Sequence, residues 1–362
     1  MCFVDLEKAF DRVPRGVLWE VLREYGVSGP LLRAIRSLYN RCKSLVRIAG
    51  NKSDSFPVGD GLRQGCPLSP VLFIIFMDRI SRRSQVAEGF HFGGLRISSL
   101  LFADDVLLAS SGEGLQLTLE RFAAECEAAG MRISTSKSEA MVLSRKRVEC
   151  PLRVGDEFLP QVEEFKYLGV LFASDGRREP EIDRRIGAAA AVMRTLHRSV
   201  VVKRELSVKA KLSIYRSIYV PTLTYGHELW VVTERTRSRI QAAEMSFLRR
   251  VAGLSLRDRV RSSAIREGLR VEPLLLHIER SQLRWFGHLT RMPPGRLLGE
   301  VFRACPTGRR PRGRPRTRWR DYISRLAWER LGIPPDKLEE VAGEREVWAS
   351  LLRLLPPRPG LG

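Results

Sequence analysis

Two adjacent acids, Asp104-Asp105, stand between the largely apolar runs Ser99-Leu100-Leu101-Phe102-Ala103 and Val106-Leu107-Leu108-Ala109. A strand, acid-acid, strand pattern confines the chain to a tight reversal with two carboxylates at its tip. Neighbouring carboxylates repel, and burial raises their pKa values. On the dipeptide alone a solvated hairpin tip is the ordinary reading. The alternative is a divalent cation, whose charge offsets the repulsion. Mg²⁺ takes oxygen ligands, and a pair of such ions stabilises in-line phosphoryl transfer. A third acid, Asp5, follows the apolar pair Phe3-Val4, where the end of a buried strand would meet solvent at a sheet edge. Between these acids lies Gly61-Leu62-Arg63-Gln64-Gly65-Cys66-Pro67-Leu68-Ser69-Pro70. Its glycines permit close approach to a flat ligand, but Gly and Pro in this density also describe a plain loop.

Periodicity predicts helices at 16–26 and 30–42, strands at 44–50 and 54–58 around a turn at Asn51-Lys52-Ser53, and an apolar helix from Pro70 to Arg83. Strands follow at 95–102 and 106–110. A helical face, Leu115, Leu119, Phe122, Ala123 and Cys126, ends at Gly130. Further strands are expected at 131–134, 139–143 and 165–172. From 178 the pattern is helical, with one helix expected to stop before Pro221, another before Gly253 and a last patch over 320–354. Gly308 to Trp319 has no period and reads as a loop. The fold class is therefore α+β for about 170 residues, then all-α.

Charge separates the two parts. The chain has 62 Lys+Arg against 41 Asp+Glu, a net charge of +21. Residues 1–150 hold 21 basic and 17 acidic residues, a net of +4, which leaves 41 and 24, or +17, for residues 151–362. Residues 291–320 carry ten Arg and one acid, Glu300. Such a surplus points to a polyanion, nucleic acid before an anionic membrane. No apolar run reaches ~18 residues, so no membrane span is expected. The N-terminus lacks a secretory pattern, and the six Cys show no pairing spacing; a nuclear or cytoplasmic setting with free thiols follows as an expectation. His277, His288 and Cys305 are too few and too widely spaced for structural zinc.

Phe3-Val4-Asp5 with Ala9-Phe10-Asp11, then Gly65-Cys66-Pro67-Leu68-Ser69-Pro70, then Phe102-Ala103-Asp104-Asp105 resemble motifs A, B and C of the reverse transcriptases of LINE-type non-LTR retrotransposons. Gly130-Met131-Arg132-Ile133-Ser134-Thr135-Ser136-Lys137-Ser138-Glu139 resembles motif D, and Phe165-Lys166-Tyr167-Leu168-Gly169 resembles motif E, the primer grip. Leu223-Thr224-Tyr225-Gly226, Arg284-Trp285-Phe286-Gly287-His288-Leu289 and Arg312-Gly313-Arg314-Pro315 look like the tail of such elements.

The resemblance implies a polymerase palm over 1–172, a helical thumb over 173–255 and a basic helical region over 256–362 with the Arg/Gly/Pro loop 308–319. It implies RNA-directed DNA synthesis with RNA template, DNA primer and dNTP as partners and two Mg²⁺ ions, or Mn²⁺, as cofactor. Asp5, Asp104, Asp105 and the Leu6 carbonyl would be metal ligands. Phe10 would exclude a 2′-hydroxyl, Gln64 and Gly65 would contact template base and nucleotide, and Lys137 would stabilise the leaving pyrophosphate. Tyr167, Leu168 and Gly169 would press on the primer end. Asp11 reads as a structural acid.

Motif A begins at residue 3, where the family has fingers and earlier palm ahead of it, so impaired synthesis by the isolated chain is expected. An inactive nucleic-acid-binding remnant is the alternative, and an RNase H-type nuclease lacks its four acids. Arg312, Arg314, Arg316 and Arg318 read as a phosphate-binding arm or an AT-hook-like minor-groove element.

Overall fold

A computed structural model describes residues 1–87, 89–144, 148–203, 205–304 and 317–358. The chain forms two compact units, Met1–Phe165 and Lys166–Gly362, where the sequence reading set boundaries after 172 and 255.

The first unit is built on an antiparallel four-stranded sheet. Its order is Glu139–Ala140, Cys2–Val4, Asp105–Leu108, Ser99–Phe102. Cys2, Phe3 and Val4 are all buried, as a central strand covered on both faces requires. The helix Ser69–Arg83 starts with Pro70 in its first turn, where a missing N–H costs nothing. It buries Leu72, Phe73, Phe76, Met77 and Ile80, a 3.6-residue stripe. The helix Gly112–Ala128 buries Leu115, Leu119, Phe122 and Cys126. It ends at Gly130, where Met131 N–H donates back to Cys126 O at 2.8 Å. Gly130 has φ +77°, and a Cβ there would meet Pro14 Cγ at 2.5 Å, so this chain crossing admits only glycine.

Several boundaries differ from expectation. The turn expected at 51–53 lies at Ala49-Gly50, both with positive φ, which lets Arg47–Ile48 pair with Asn51–Lys52. The strand expected over 95–102 breaks at Ser98, because Gly93-Gly94 fold Leu95–Ile97 back onto Phe90–Phe92. The strand expected at 131–134 contributes only a bridge, Leu6 to Ile133, before the chain coils through a turn closed by Ser138 N–H on Ser134 O at 3.0 Å.

The second unit opens with the hairpin strand pair Glu164–Tyr167 and Val170–Ala173, whose first strand straddles the unit boundary, and is otherwise helical. The helix expected to stop before Pro221 runs on to Thr224. A π turn over Tyr215–Tyr219 widens the ladder just where the proline ring would strike the preceding turn. One apolar core runs from Ile182 through Trp230, Phe247, Leu283 and Phe286 to Trp348 and Leu355. Several polar groups inside it are paired, although Trp230 Nε1 is buried without an acceptor. Glu244, fully buried, accepts from Arg266 at 2.7 Å and from Leu274 N–H at 2.9 Å. Gln282 donates to the carbonyls of His227 and Trp230 and accepts from Tyr322. Among the described residues no helix is long and apolar enough to cross a membrane.

Candidate active site

The strand Cys2–Val4 pairs with Asp105–Leu108 so that Val4 faces Val106. The next step of this register leads from Val4 to Asp5 and from Val106 to Asp105, at adjoining strand ends. The hairpin closes with Phe102 paired to Asp105, so the turn is Ala103-Asp104 and Asp105 is the first residue of its strand. The reversal thus sits one residue earlier than the Asp-Asp pair suggested. Ala103 has φ +54°, an uncommon conformation for a residue with a Cβ. The charges of Asp104 and Asp5 both reach Asp105. Burial, and then the charges of Asp104 and Asp5, push the Asp105 carboxyl above its ordinary range.

The backbone around Asp5 is fixed by the 132–138 segment. Asp5 N–H donates to Ser138 Oγ at 3.1 Å, Asp5 O accepts from Ser134 N–H at 2.8 Å, and Glu7 N–H donates to Arg132 O at 2.9 Å. This turn also carries Lys137, whose Nζ lies 3.7 Å from Asp5 Oδ2. Leu6, the other expected ligand, is buried and bridges to Ile133.

The donor set is all oxygen, which suits a hard cation such as Mg²⁺ or Mn²⁺. Burial, with the charges of Asp104 and Asp5 added to it, makes the ionised Asp105 carboxylate costly, and a cation bound nearby would offset that cost. Among the described residues, however, no three His, Cys, Asp or Glu side chains form a ready ligand group. The acids fit a cation as a shared electrostatic site rather than as a closed cage.

A second cluster lies on the short helix Ala9–Arg12 and the loop leading to Ser69. Phe10 stacks on Phe73 with ring centroids 4.3 Å apart. Its carbonyl accepts from Leu62 N–H at 2.8 Å, and Gln64 Nε2 donates to Asp11 Oδ1 at 3.1 Å. Phe10, Asp11 and Gln64 are therefore brought together, and Asp11 holds the loop. Gly61 makes this approach possible: a Cβ there would lie 2.6 Å from Asp11 O. Gly65, φ +80°, is exposed.

Arg15 was not legible as a site residue. Its guanidinium donates to the carbonyls of Gly61, Tyr39, Val58 and Asp60 at 2.7–3.2 Å and lies over the Tyr39 ring. It fastens the root of the 61–70 loop. An Arg behind Pro14 at a helix start gives no sign of this, since all four acceptors are backbone atoms distant in sequence.

Cys66, in the same loop, has its thiol pKa lowered, chiefly by hydrogen bonding from the Leu68 backbone. Burial instead pushes the thiols of Cys2 and Cys126 up to about 12. The thiolate is the reactive form. Iodoacetamide at pH 7 should therefore modify Cys66 at least ~100-fold faster than Cys2 or Cys126. Peptide mass spectrometry over a time course reads this, and equal rates would contradict the loop geometry.

Tyr167, Leu168 and Gly169 belong to the second unit. Leu168 (φ +47°) and Gly169 (φ +78°) form the two-residue turn between Glu164–Tyr167 and Val170–Ala173, the geometry that suits a hairpin's twist. Leu168 is an outlier there, and the surroundings hold it. Tyr225 OH donates to Leu168 O at 3.0 Å, and Arg184 and Arg185 both donate to Gly169 O. Glu181, with 1% of its side chain exposed, pairs with both arginines and accepts from Leu171 N–H at 2.8 Å. Burial pushes the Glu181 carboxyl up, but the bonds from Arg184, Leu171 and Arg185 outweigh it and hold the pKa below the usual range. This network was also invisible in the sequence, where 179–196 reads only as an amphipathic helix. Of the expected tail residues, Arg312, Arg314 and Arg316 lie outside the described residues; Arg318 precedes the helix Trp319–Leu331.

Residues 1–172 match the reverse transcriptase (RNA-dependent DNA polymerase) family. The retrovirus-related Pol polyprotein of the type-1 retrotransposable element R2 from Nasonia vitripennis is 32% identical over 195 residues, 51% of this chain and 19% of that protein. A transposon-derived protein of Caenorhabditis elegans is 28% identical over 72% of this chain and 96% of its own length. The RNA-directed DNA polymerase from mobile element jockey of Drosophila melanogaster is 24% identical over 329 residues, 87% of this chain and 35% of that protein. The chain thus spans a fifth to a third of the R2 and jockey proteins it resembles.

Proposed function

We propose, for a chain that belongs through residues 1–172 to the reverse transcriptases of non-LTR retrotransposons, that its first unit is a polymerase palm carrying out RNA-templated DNA synthesis. The second unit would supply thumb and basic C-terminal region. The observation that carries the reading is that Asp104 and Asp5, at adjoining strand ends, lie near enough to Asp105 to add their charge to the rise that burial gives its carboxyl.

Asp5 and Asp104, with Asp105 and the Leu6 carbonyl, would hold two divalent cations, Mg²⁺ or Mn²⁺. Bound there, such ions supply positive charge to the attacking and leaving oxygens of nucleotidyl transfer. The protein's own groups do the positioning. Lys137, next to Asp5, would meet the negative charge developing on pyrophosphate, and Phe10, braced by Phe73, would wall the sugar pocket against a 2′-hydroxyl. Gln64 and Gly65 would face the template base and the incoming nucleotide. The Leu168-Gly169 turn, with Tyr167, would support the primer strand. The basic stretch with Arg312, Arg314, Arg316 and Arg318 is assigned to phosphate contact, on charge alone.

Metal linkage tests the site. Asp105 has a raised carboxyl, so stability falls as pH rises from the ordinary carboxylate range through the raised value, and the penalty is complete above it. A divalent cation should remove that penalty. Mn²⁺ should raise Tm by a few degrees at pH 7.5 and much less at pH 4.5, since saturation at ~100 times Kd contributes about 2.7 kcal/mol. Asp105→Asn should raise Tm without metal and blunt the Mn²⁺ response. A response equal at both pH values, or unaltered in Asp105→Asn, would remove the metal assignment.

A second reading, a nucleic-acid-binding chain without catalysis, draws on the lack of a closed ligand group among the described residues. It predicts no Mn²⁺ response at either pH.

A further inference from the structure

The segment Arg284-Trp285-Phe286-Gly287-His288-Leu289, which the polymerase reading leaves without a role, lies on the helix Leu274–Thr290, and its Arg284, Trp285 and His288 line one wall of a cleft of about 810 Å³ within the second unit. The other wall comes from the helix Arg345–Leu354. Five arginines line this cleft, at 280, 284, 291, 345 and 353, against one carboxylate, Glu228. Two of them are occupied. Arg280 donates to Leu352 O and pairs with Glu272 at 2.9 Å, and Arg291 donates to Ala342 O. Arg284, Arg345 and Arg353 are exposed and have no hydrogen-bond or ion-pair partner among the described residues. Burial and the charge of Arg345 depress the Arg291 pKa, as expected where cations crowd without anions.

The aromatic groups divide by role. Trp348 is 2% exposed, its Nε1–H donates to Leu283 O at 3.0 Å, and it belongs to the core. Trp285 is half-buried, its Nε1 finds no acceptor, and its ring lies 5.3 Å from that of His288. Close packing explains why: a Cβ added at Gly287 would strike Trp348 at 2.5 Å, so the glycine lets the two helices meet and leaves Trp285 and His288 on the cleft side.

We propose that this cleft binds a single-stranded nucleic-acid segment, with phosphates held by Arg284, Arg345 and Arg353 and an unpaired base received against Trp285 and His288. Arginines that track a backbone beside an aromatic platform are what single-strand recognition requires. The volume is that of a pocket for a small ligand, enough for a nucleotide or two but not for the flank of a duplex. The net charge of +17 over residues 151–362 favours a long polyanion over a free anion. The proposal does not rest on the catalytic reading, since none of these residues belongs to the palm and its test contains no polymerase step.

The test uses the full chain in EDTA, with fluorescence anisotropy on ten-nucleotide oligo(rU), oligo(dT) and a ten-base-pair duplex, from 50 to 200 mM salt. The triple variant Arg284→Ala/Arg345→Ala/Arg353→Ala alters only exposed, unpaired side chains, so its fold should hold by circular dichroism. On the single strands it should lose at least ~10-fold in affinity, and its log K against log salt slope should flatten by about two, or ~0.7 for each of three contacts. On the duplex the loss should stay below ~2-fold, which separates the cleft from whatever the 309–320 arginines contribute. Trp285→Leu should weaken single-strand binding ~5-fold or more without changing the slope, because stacking releases no counter-ions. Equal losses on RNA and DNA identify a strand-general site, and a loss on one alone assigns the sugar. An unchanged slope in the triple variant, equal losses on the duplex, or polyglutamate competing as well as oligo(rU) would overturn the proposal.

Discussion

Replacing Asp5 or Asp104 by Asn should reduce Mg²⁺-dependent incorporation of a single deoxynucleotide on an RNA template by about three orders of magnitude, or ~4 kcal/mol of transition-state stabilisation. Asn keeps the volume and one oxygen but removes the charge that, on the proposed reading, would hold a divalent cation at the site. Binding of the primer–template should change less than ~3-fold, because the contacts that grip phosphates lie elsewhere. Single-turnover incorporation beside a binding titration gives both numbers. Asp105→Asn should fall between these variants and the native chain, since burial and the neighbouring acids already disfavour the Asp105 carboxylate. If Asp5→Asn incorporated at the native rate, the palm reading would fail whatever the family.

The second large effect belongs to Glu181. Glu181→Gln should destabilise the second unit by about 3–5 kcal/mol, because Arg185, itself only 8% exposed, would be left without its charge partner. For a unit of this size that is roughly 10 °C in Tm. The pH dependence carries a sign. A carboxyl held below its ordinary pKa adds stability that is present above that ordinary value and lost as pH falls through the folded one. The native chain should therefore lose stability on acidification from pH 5 to 3, and the variant should lack that component. Hydrogen exchange gives an independent reading, since the Leu171 amide donates to Glu181 and should lose protection in the variant. A Leu171 amide that stays protected would mean that the turn at Leu168-Gly169 does not depend on this carboxylate.

The unequal legibility of the two sites has a physical origin. Asp5, Asp104 and Asp105 stand out in the sequence because each interrupts an apolar run, but it is the resemblance to motifs A and C, and not the strand period, that singles them out as candidate metal ligands. The helix Ser69–Arg83 was readable to within a residue because its buried stripe is continuous. Arg15 was not, since it satisfies carbonyls brought near by tertiary folding, and no local pattern announces an acceptor 24 to 46 residues away; Glu181 was not either, because its spacing to Arg184 and Arg185 is that of an ordinary surface pair and says nothing of its burial under the 168–171 turn. The passage through Pro221 was misread for a related reason. Local steric rules end a helix at proline, whereas the packing of Tyr215 and Tyr219 against Phe247 accompanies a π turn that lets it continue. The place of Trp285 on the cleft side is likewise set by tertiary packing, where Gly287 lets the second helix approach.

The core that runs from Ile182 to Leu355 decides how the second unit can be cut. A polypeptide ended at residue 255, or at residue 304 before the arginine-rich stretch, would lose Ile323, Leu326, Ala327, Trp348 and Leu352, all nearly inaccessible to solvent. Their partners among residues 182–286 would be left facing water as a broad greasy surface, and such surfaces stick to one another. Shortened versions made to remove the basic tail are therefore expected to precipitate for reasons unrelated to nucleic acid. Deleting only 305–316, with a short flexible splice between Ala304 and Thr317, keeps every one of these side chains and is the version in which charge and folding can be varied separately.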